Sequence, residues 1–85
     1  MRSTQTSVGT TATLLISAST VNRVAVLHAI SNTTVYLGGS TVTTSNGFIF
    51  EKDDGAISVT VPAGETLYGI VSTGTETVSV LLPNS

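Results

Sequence analysis

From Thr11 onward, short apolar runs alternate with turn residues at intervals of roughly 8 to 12 residues, which is the spacing of an all-β sandwich or barrel. The pattern predicts seven strands and one further short pairing segment around Thr41–Thr43. The predicted strands are Ala12–Ser17, Arg23–Ser31, Thr34–Gly38, Phe48–Lys52, Ala56–Val61, Thr66–Ser72 and Thr77–Leu82. We therefore expect residues 11–85 to form one all-β domain, a compact antiparallel β-sandwich or jelly-roll-like barrel of about seven to eight short strands.

Glycine-containing turns mark the predicted strand ends. We expect Gly38-Gly39, Asn46-Gly47 and Asp53-Asp54-Gly55 to supply the positive-φ positions of tight turns, because Asn-Gly and Asp-Gly favour them strongly. Two hairpins follow. Asp53-Asp54-Gly55 joins the fourth predicted strand to the fifth, and Thr73-Gly74-Thr75 joins the sixth to the seventh.

Alternation assigns some side chains to faces. The strand 56–61 has an apolar residue at every second position and a hydroxyl residue between each pair, which predicts one buried face and one solvated face. The buried set is Ile57, Val59 and Val61. Phe48 and Phe50 share one face of their strand, so we expect both to anchor the core.

Other predicted strands, 23–31 and 66–72 among them, are apolar on both faces. A small domain has little chain with which to cover a second apolar face, so a partner subunit is the interpretation we favour. The alternative is that the protein tolerates single apolar residues on its surface. The residues assigned to the oligomer contact are Leu27, His28, Tyr36, Tyr68 and Ile70.

Residues 1–10 are polar and show no sustained apolar alternation, so we interpret them as an N-terminal arm. The arm is expected to become ordered when its backbone adds to an exposed sheet edge of a neighbouring chain. The alternative is a disordered tail, because chain ends are commonly loose. The residues assigned to this docking arm are Arg2, Ser3, Thr4, Gln5 and Thr6.

The amino-acid composition and net charge exclude several classes of partner and site. Ser and Thr make up 27 of the 85 residues and Val 11, whereas eight residues carry a formal charge and the net charge is −2. The chain therefore lacks the basic surface that phosphate binding requires, and we expect no nucleic-acid partner. No apolar run approaches the roughly 20 residues that span a bilayer, so we expect no membrane partner. Without Cys there is no thiolate metal site or disulfide.

Candidate chemistry is sparse. His28 is the single histidine and lies in line with the valines of its strand, which favours a packed residue in the core or at an interface over a catalytic one. Glu51, Asp53 and Asp54 cluster at a turn without the ligand pattern of a calcium loop, so a solvated turn is favoured over a weak Ca²⁺ site. We expect no enzyme activity, no metal and no cofactor.

The order of several short motifs resembles that of a known group. These are a Val35-Tyr36-Leu37-Gly38-Gly39 strand, an Asn46-Gly47 turn, a Leu67-Tyr68-Gly69-Ile70 strand and a closing valine-rich strand over 77–81. Between about residues 24 and 82 the chain resembles the small β-rich accessory proteins of tailed bacteriophage particles. The resemblance implies a β-sandwich or jelly-roll-like module that coats the outside of a phage head.

What the resemblance implies about function is a structural role. Such decoration, or cement, proteins bind the major capsid protein on the outer surface of the virion, commonly as homotrimers, and contribute no catalytic residues. The resemblance thus implies that the arm, with Arg2, Ser3, Thr4, Gln5 and Thr6, docks on the capsid. Related modules also occur in tails and fibres. The alternative function is therefore a phage tail or fibre accessory module that binds a host-surface receptor or glycan.

Overall fold

The computed structural model describes residues 1–83, and its regular secondary structure there consists of β-strands and one turn of 3₁₀-helix. Its strands are β1 (Arg2–Val8), β2 (Thr13–Ile16), β3 (Arg23–Ala29), β4 (Val35–Gly38), β5 (Phe48–Phe50), β6 (Ile57–Val61), β7 (Leu67–Ile70) and β8 (Glu76–Leu82). One turn of 3₁₀-helix, Lys52–Asp54, lies between β5 and β6. Within the described residues, no helix has the length and apolar character needed to cross a membrane.

The strands form two antiparallel sheets of four strands. Sheet A has the order β1-β8-β3-β6, and sheet B has the order β2-β7-β4-β5. The first strand therefore pairs with the last, the second with the seventh, the third with the sixth and the fourth with the fifth. This is the strand order of a jelly roll. The predicted all-β sandwich is confirmed.

All seven predicted strands are present, with small differences at their ends. The segment around Thr41–Thr43 is not a strand; it belongs to the loop between β4 and β5. The two predicted hairpins are wrong. The 53–55 turn connects β5 of sheet B to β6 of sheet A, and the 73–75 turn connects β7 of sheet B to β8 of sheet A. The reason is that turn residues reverse the chain without specifying which sheet it enters next.

The prediction of an N-terminal arm that orders only on a neighbouring chain is also wrong. Arg2, Ser3, Thr4, Gln5 and Thr6 belong to β1, which pairs residue for residue with β8 from Arg2↔Leu82 to Val8↔Glu76. An edge strand needs backbone partners on one side and few apolar side chains, and Val8, which is fully buried, supplies the core contact. The polar segment therefore adds to a sheet edge of its own chain.

The core lies between the sheets and consists mainly of aliphatic side chains. Phe50 is its one fully buried aromatic residue among those the structure describes. The buried side chains that pack together are Val8, Leu15, Ile16, Ala25, Leu27, Ala29, Val35, Leu37, Phe50, Val61, Val71, Val78, Val80 and Leu82. Strand alternation explains this set, because in β3 and β8 every second side chain is buried.

The predicted face of β6 is confirmed, since Ile57, Val59 and Val61 point inward while Ser58 and Thr60 are exposed. Phe48 is a correction. It lies on the same side of β5 as Phe50 but is 69% exposed, because it sits at the open edge of sheet B.

Gly47 is required by space, and Gly69 is tightly packed. A Cβ atom on Gly69 would lie 3.1 Å from Leu15 Cδ1 in the core, and one on Gly47 would lie 2.5 Å from Tyr36 Cβ. Gly55 has the predicted positive φ, at 70°, but Gly38, Gly39 and Gly47 do not. Asn46-Gly47 is thus a place of close packing and not a positive-φ turn.

Leu27 and Val26 test the inward and outward faces of β3. Leu27 is fully buried and Val26 is 37% exposed. We expect Leu27→Ala to lower the free energy of unfolding by about 2–5 kcal/mol, because it leaves a cavity between the sheets. Val26→Ala should lower it by less than about 1 kcal/mol. Urea denaturation of both variants measures the difference, and equal losses would contradict the assignment of faces.

Candidate functional site

The outer face of sheet B carries an apolar surface, here called the tyrosine face, made of Leu14, Tyr36, Ile49, Tyr68 and Ile70. The strand register places Leu14 beside Tyr68 and places Tyr36 between Ile70 and Ile49. Directly paired side chains of adjacent strands lie about 5 Å apart at Cβ, so these five form one continuous patch. Leu14 is 44% exposed and Ile49 is 57% exposed, while the other three are half-buried.

The loop 39–47 covers one corner of the tyrosine face. Val42 is buried although it is not part of the core cluster. Its Cγ2 atom would lie 2.9 Å from a Cβ on Gly38 and 3.0 Å from one on Gly47, so the two glycines leave the depression that Val42 fills. Backbone bonds from Asn46 and Gly47 to the carbonyl oxygen of Thr43 hold the loop in this position.

The outer face of sheet A carries a second apolar surface, here called the valine face. Its exposed apolar residues are Val24, Val26, Ile30 and Leu81. A polar row crosses this face, because Ser79 of β8 is paired with Gln5 of β1 on one side and with His28 of β3 on the other. A shallow groove of about 420 Å³ runs over these three strands.

The predicted oligomer contact does not form one surface. Tyr36, Tyr68 and Ile70 do lie together on the tyrosine face. His28 is exposed on the opposite sheet, within the valine face. Leu27 is a correction: it is fully buried in the core and cannot reach a partner, because it lies on the inward side of β3.

Neither outer face carries a formally charged side chain in the part of the chain that the structure describes. Charged residues occupy the first positions of strands or the connections between strands. They are Arg2, Arg23, Glu51, Lys52, Asp53, Asp54, Glu65 and Glu76. Since solvated sheet faces normally carry mixed charges, two uncharged faces with exposed apolar residues are the main surface feature of this protein.

Two of the charged groups are buried at opposite ends of β3. The Arg23 guanidinium donates to the carbonyl oxygen of Ser17, while its Nε has no hydrogen-bond partner. The Glu76 carboxylate accepts hydrogen bonds from the backbone N–H groups of Ser31 and Thr33. These contacts hold the chain where it leaves the sheets, so we assign them structural roles.

The acidic turn after β5 is organised by its own hydrogen bonds. Asp54 Oδ2 accepts from the Glu51 backbone N–H at 2.9 Å, and Glu51 Oε2 accepts from Thr34 Oγ1 at 2.7 Å. Asn32, Lys52 and Asp53 complete a polar depression of about 200 Å³ there. Within residues 1–83, no group of three or more His, Cys, Asp or Glu side chains is positioned to hold a metal ion.

An apolar slot opens between the edge strands of the two sheets. It measures about 430 Å³ and is here called the β5–β6 slot; its lining residues are Leu37, Gly38, Phe48, Ile57, Ser58, Val59 and Leu67. Phe48 forms its exposed lip, and Ile57 and Val59 reach it from β6 as half-buried residues. Sequence patterning missed this slot, because the proximity of β5 and β6 across the sheets depends on the topology.

Comparisons with protein families, with curated proteins and with solved structures gave no match to this chain. The functional assignment therefore depends on the two faces, the slot and the sequence resemblance. Leu14 and Ile49 join the predicted tyrosines only through strand register, which the sequence alone did not supply.

Glu76 tests the buried polar contacts. Glu76→Ala removes the acceptor of two backbone N–H groups, and we expect it to lower the free energy of unfolding by about 2–4 kcal/mol. Glu76→Gln keeps one oxygen acceptor and should cost about half as much. Urea denaturation at pH 7 measures both. A loss below about 0.5 kcal/mol for Glu76→Ala would show that water replaces the carboxylate.

Proposed function

We propose that this chain is a structural bacteriophage virion protein, a decoration (cement) protein that binds the outer surface of the head and stabilises it without catalysis. The observation that carries the proposal is the pair of uncharged, partly apolar faces on opposite sides of one small sandwich. A module that joins protein surfaces needs burial area on more than one side. The resemblance to phage accessory proteins suggests that the surface bound by this module is that of a phage head.

In this proposal the valine face and β1 contact the major capsid protein. Ser3 and Gln5 of β1 point outward beside Leu81 and Ser79, so the polar edge and the apolar patch form one docking surface. His28 belongs to this surface. Hydrogen bonds from the Gln5, Ser79 and His28 side chains would fix orientation, and burial of Val24, Val26 and Leu81 would supply attraction.

The tyrosine face is assigned to contacts between copies of the chain. Burying a Leu or Ile side chain contributes roughly 1.5–3 kcal/mol, and tyrosines are favoured at interfaces because they combine apolar area with a hydroxyl group. A homotrimer is the assembly that the sequence resemblance implies. Leu14 and Ile49 extend the contact beyond the residues that the sequence suggested.

The fold adds support by analogy. Jelly rolls occur in viral capsid proteins as well as in lectins, so the architecture is compatible with a shell component without identifying one. A tail or fibre module that binds a glycan remains the alternative.

Ile70→Asp tests the tyrosine face. Ile70 points away from the core, so the variant should stay folded but lose self-association, because the contact would bury an unpaired carboxylate. Sedimentation of the wild-type chain and the variant at equal concentration measures the loss. Leu27→Asp is the matched control, which should unfold the monomer.

A folded Ile70→Asp variant that keeps the wild-type oligomer would contradict the assignment of the tyrosine face. A wild-type chain that sediments as a monomer at all concentrations would contradict self-association altogether.

Particles that lack the chain test the cement role. They should assemble but release their genome at a lower temperature than complete particles, because a bound protein stabilises the state to which it binds. A thermal-release assay on depleted particles, and on the same particles after adding back the purified chain, measures the effect. Equal release temperatures would argue for the tail or fibre alternative.

A further inference from the structure

The two sides of the sandwich are closed to different degrees. On the β1–β2 side a backbone hydrogen bond closes the sandwich, because the Gly9 carbonyl oxygen after β1 accepts from the Val71 N–H after β7 at 3.0 Å. On the other side the β5–β6 slot stays open. Ile57 and Val59 face the core there, yet both remain half-exposed. On this side, therefore, no further side chains cover the edge of the core.

The backbone of β6 is unprotected beside the slot. β6 is the last strand of sheet A, and β3 is its one ladder partner among the described residues. In an antiparallel pair every second residue directs its N–H and C=O groups away from the partner, so β6 presents free groups along its outer edge.

Other sheet edges carry features that discourage pairing. β2 is interrupted by a register shift between Leu14 and Ile16, and β5 is three residues long. β1 is polar throughout its exposed part. In contrast, Ile57–Val61 is uncharged, has an uninterrupted register and contains no proline. Proteins normally blunt such edges, so an unblunted edge beside an apolar slot indicates a strand-binding site.

The charged residues around the slot indicate which kind of peptide segment would bind there. The residues that line the slot are uncharged, but exposed acidic residues precede two of its lining segments in the sequence by a few residues. Asp53 and Asp54 precede Ile57 by three to four residues, and Glu65 precedes Leu67 by two. Lys52 offsets part of the charge on one side. The complementary segment is therefore apolar at alternate positions and carries Lys or Arg at its flanks.

We propose that the β5–β6 slot binds an extended segment of a partner protein, which pairs with β6 as a fifth strand of sheet A. Alternate apolar side chains of this segment would enter the slot between Phe48 and Val59, and its basic flanks would lie near the acidic residues. The proposal deepens the proposed function, on which it depends for the expectation that the segment belongs to the shell.

The test uses the full ¹⁵N-labelled chain and a synthetic peptide, Lys-Val-Thr-Val-Ser-Val-Lys. Amide resonances of β6 should shift on titration, and the outward-pointing amides of β6 should exchange with solvent more slowly in the complex. A peptide with a central proline should not bind, because it cannot complete the ladder. A peptide with Glu flanks should bind more weakly, and this difference should shrink in high salt.

Phe48 and Val21 provide a variant and its control, because both are exposed apolar residues but only Phe48 lines the slot. Phe48→Ser removes the lip of the slot and should weaken peptide binding on the order of tenfold. Val21→Ser removes an exposed apolar side chain outside the slot and outside both named faces, and it should leave peptide affinity within about twofold. Thermal melting of both variants checks that they remain folded.

Three results would overturn the inference. They are an absence of β6 shifts at millimolar peptide, equal peptide affinity in the Phe48→Ser variant and the wild type, and self-association through β6 that Phe48→Ser abolishes. The last result would make a second copy the occupant of the slot. If no peptide binds to the slot but the chain still stabilises particles, the proposed function stands without this binding site. If peptide binds but particles are unaffected, the strand-binding site stands and the role in the shell is wrong.

Discussion

Packing of one four-stranded sheet against the other, around Phe50 and a layer of aliphatic side chains, is the contact on which the whole structure depends. The chain is long enough for two sheets and their connections, and for little more. Each sheet therefore buries its inner face within the monomer and leaves its outer face to solvent or to a partner. Exposed apolar residues on both outer faces follow from this limit.

The distribution of charge agrees with that constraint. Charged side chains in the described chain lie at strand starts and in connections, where they do not interrupt either face. Arg23 and Glu76 are buried near the ends of the core and bond to the backbone of neighbouring segments. Polar contacts thus secure the ends of the sandwich, whereas its faces remain available for association.

Much of the fold could be predicted from sequence. Alternation located β6 and its inward face, and apolar runs located the strands from β2 to β8, because both patterns are local. The sheet to which each strand belongs could not be predicted, since turns such as Thr73-Gly74-Thr75 do not encode it. The polar β1 shows no apolar alternation, so no strand is predicted there although it pairs with β8. β3 is apolar on both faces, so alternation does not reveal that its inward face buries Leu27.

The candidate surfaces could be predicted only in part, because strand register and sheet topology decide which residues lie together. Tyr36, Tyr68 and Ile70 were recognised as surplus apolar residues, and strand register then brought them together with Leu14 and Ile49. The β5–β6 slot required the complete topology, because its walls come from strands in different sheets.

The most direct measurement is an electron-cryomicroscopy difference map between phage particles that carry the chain and particles that lack it. The proposed function predicts density of the size of this sandwich on the outer surface of the head, with sheet A facing the shell. Density confined to the tail, or no difference between the two particles, would contradict it.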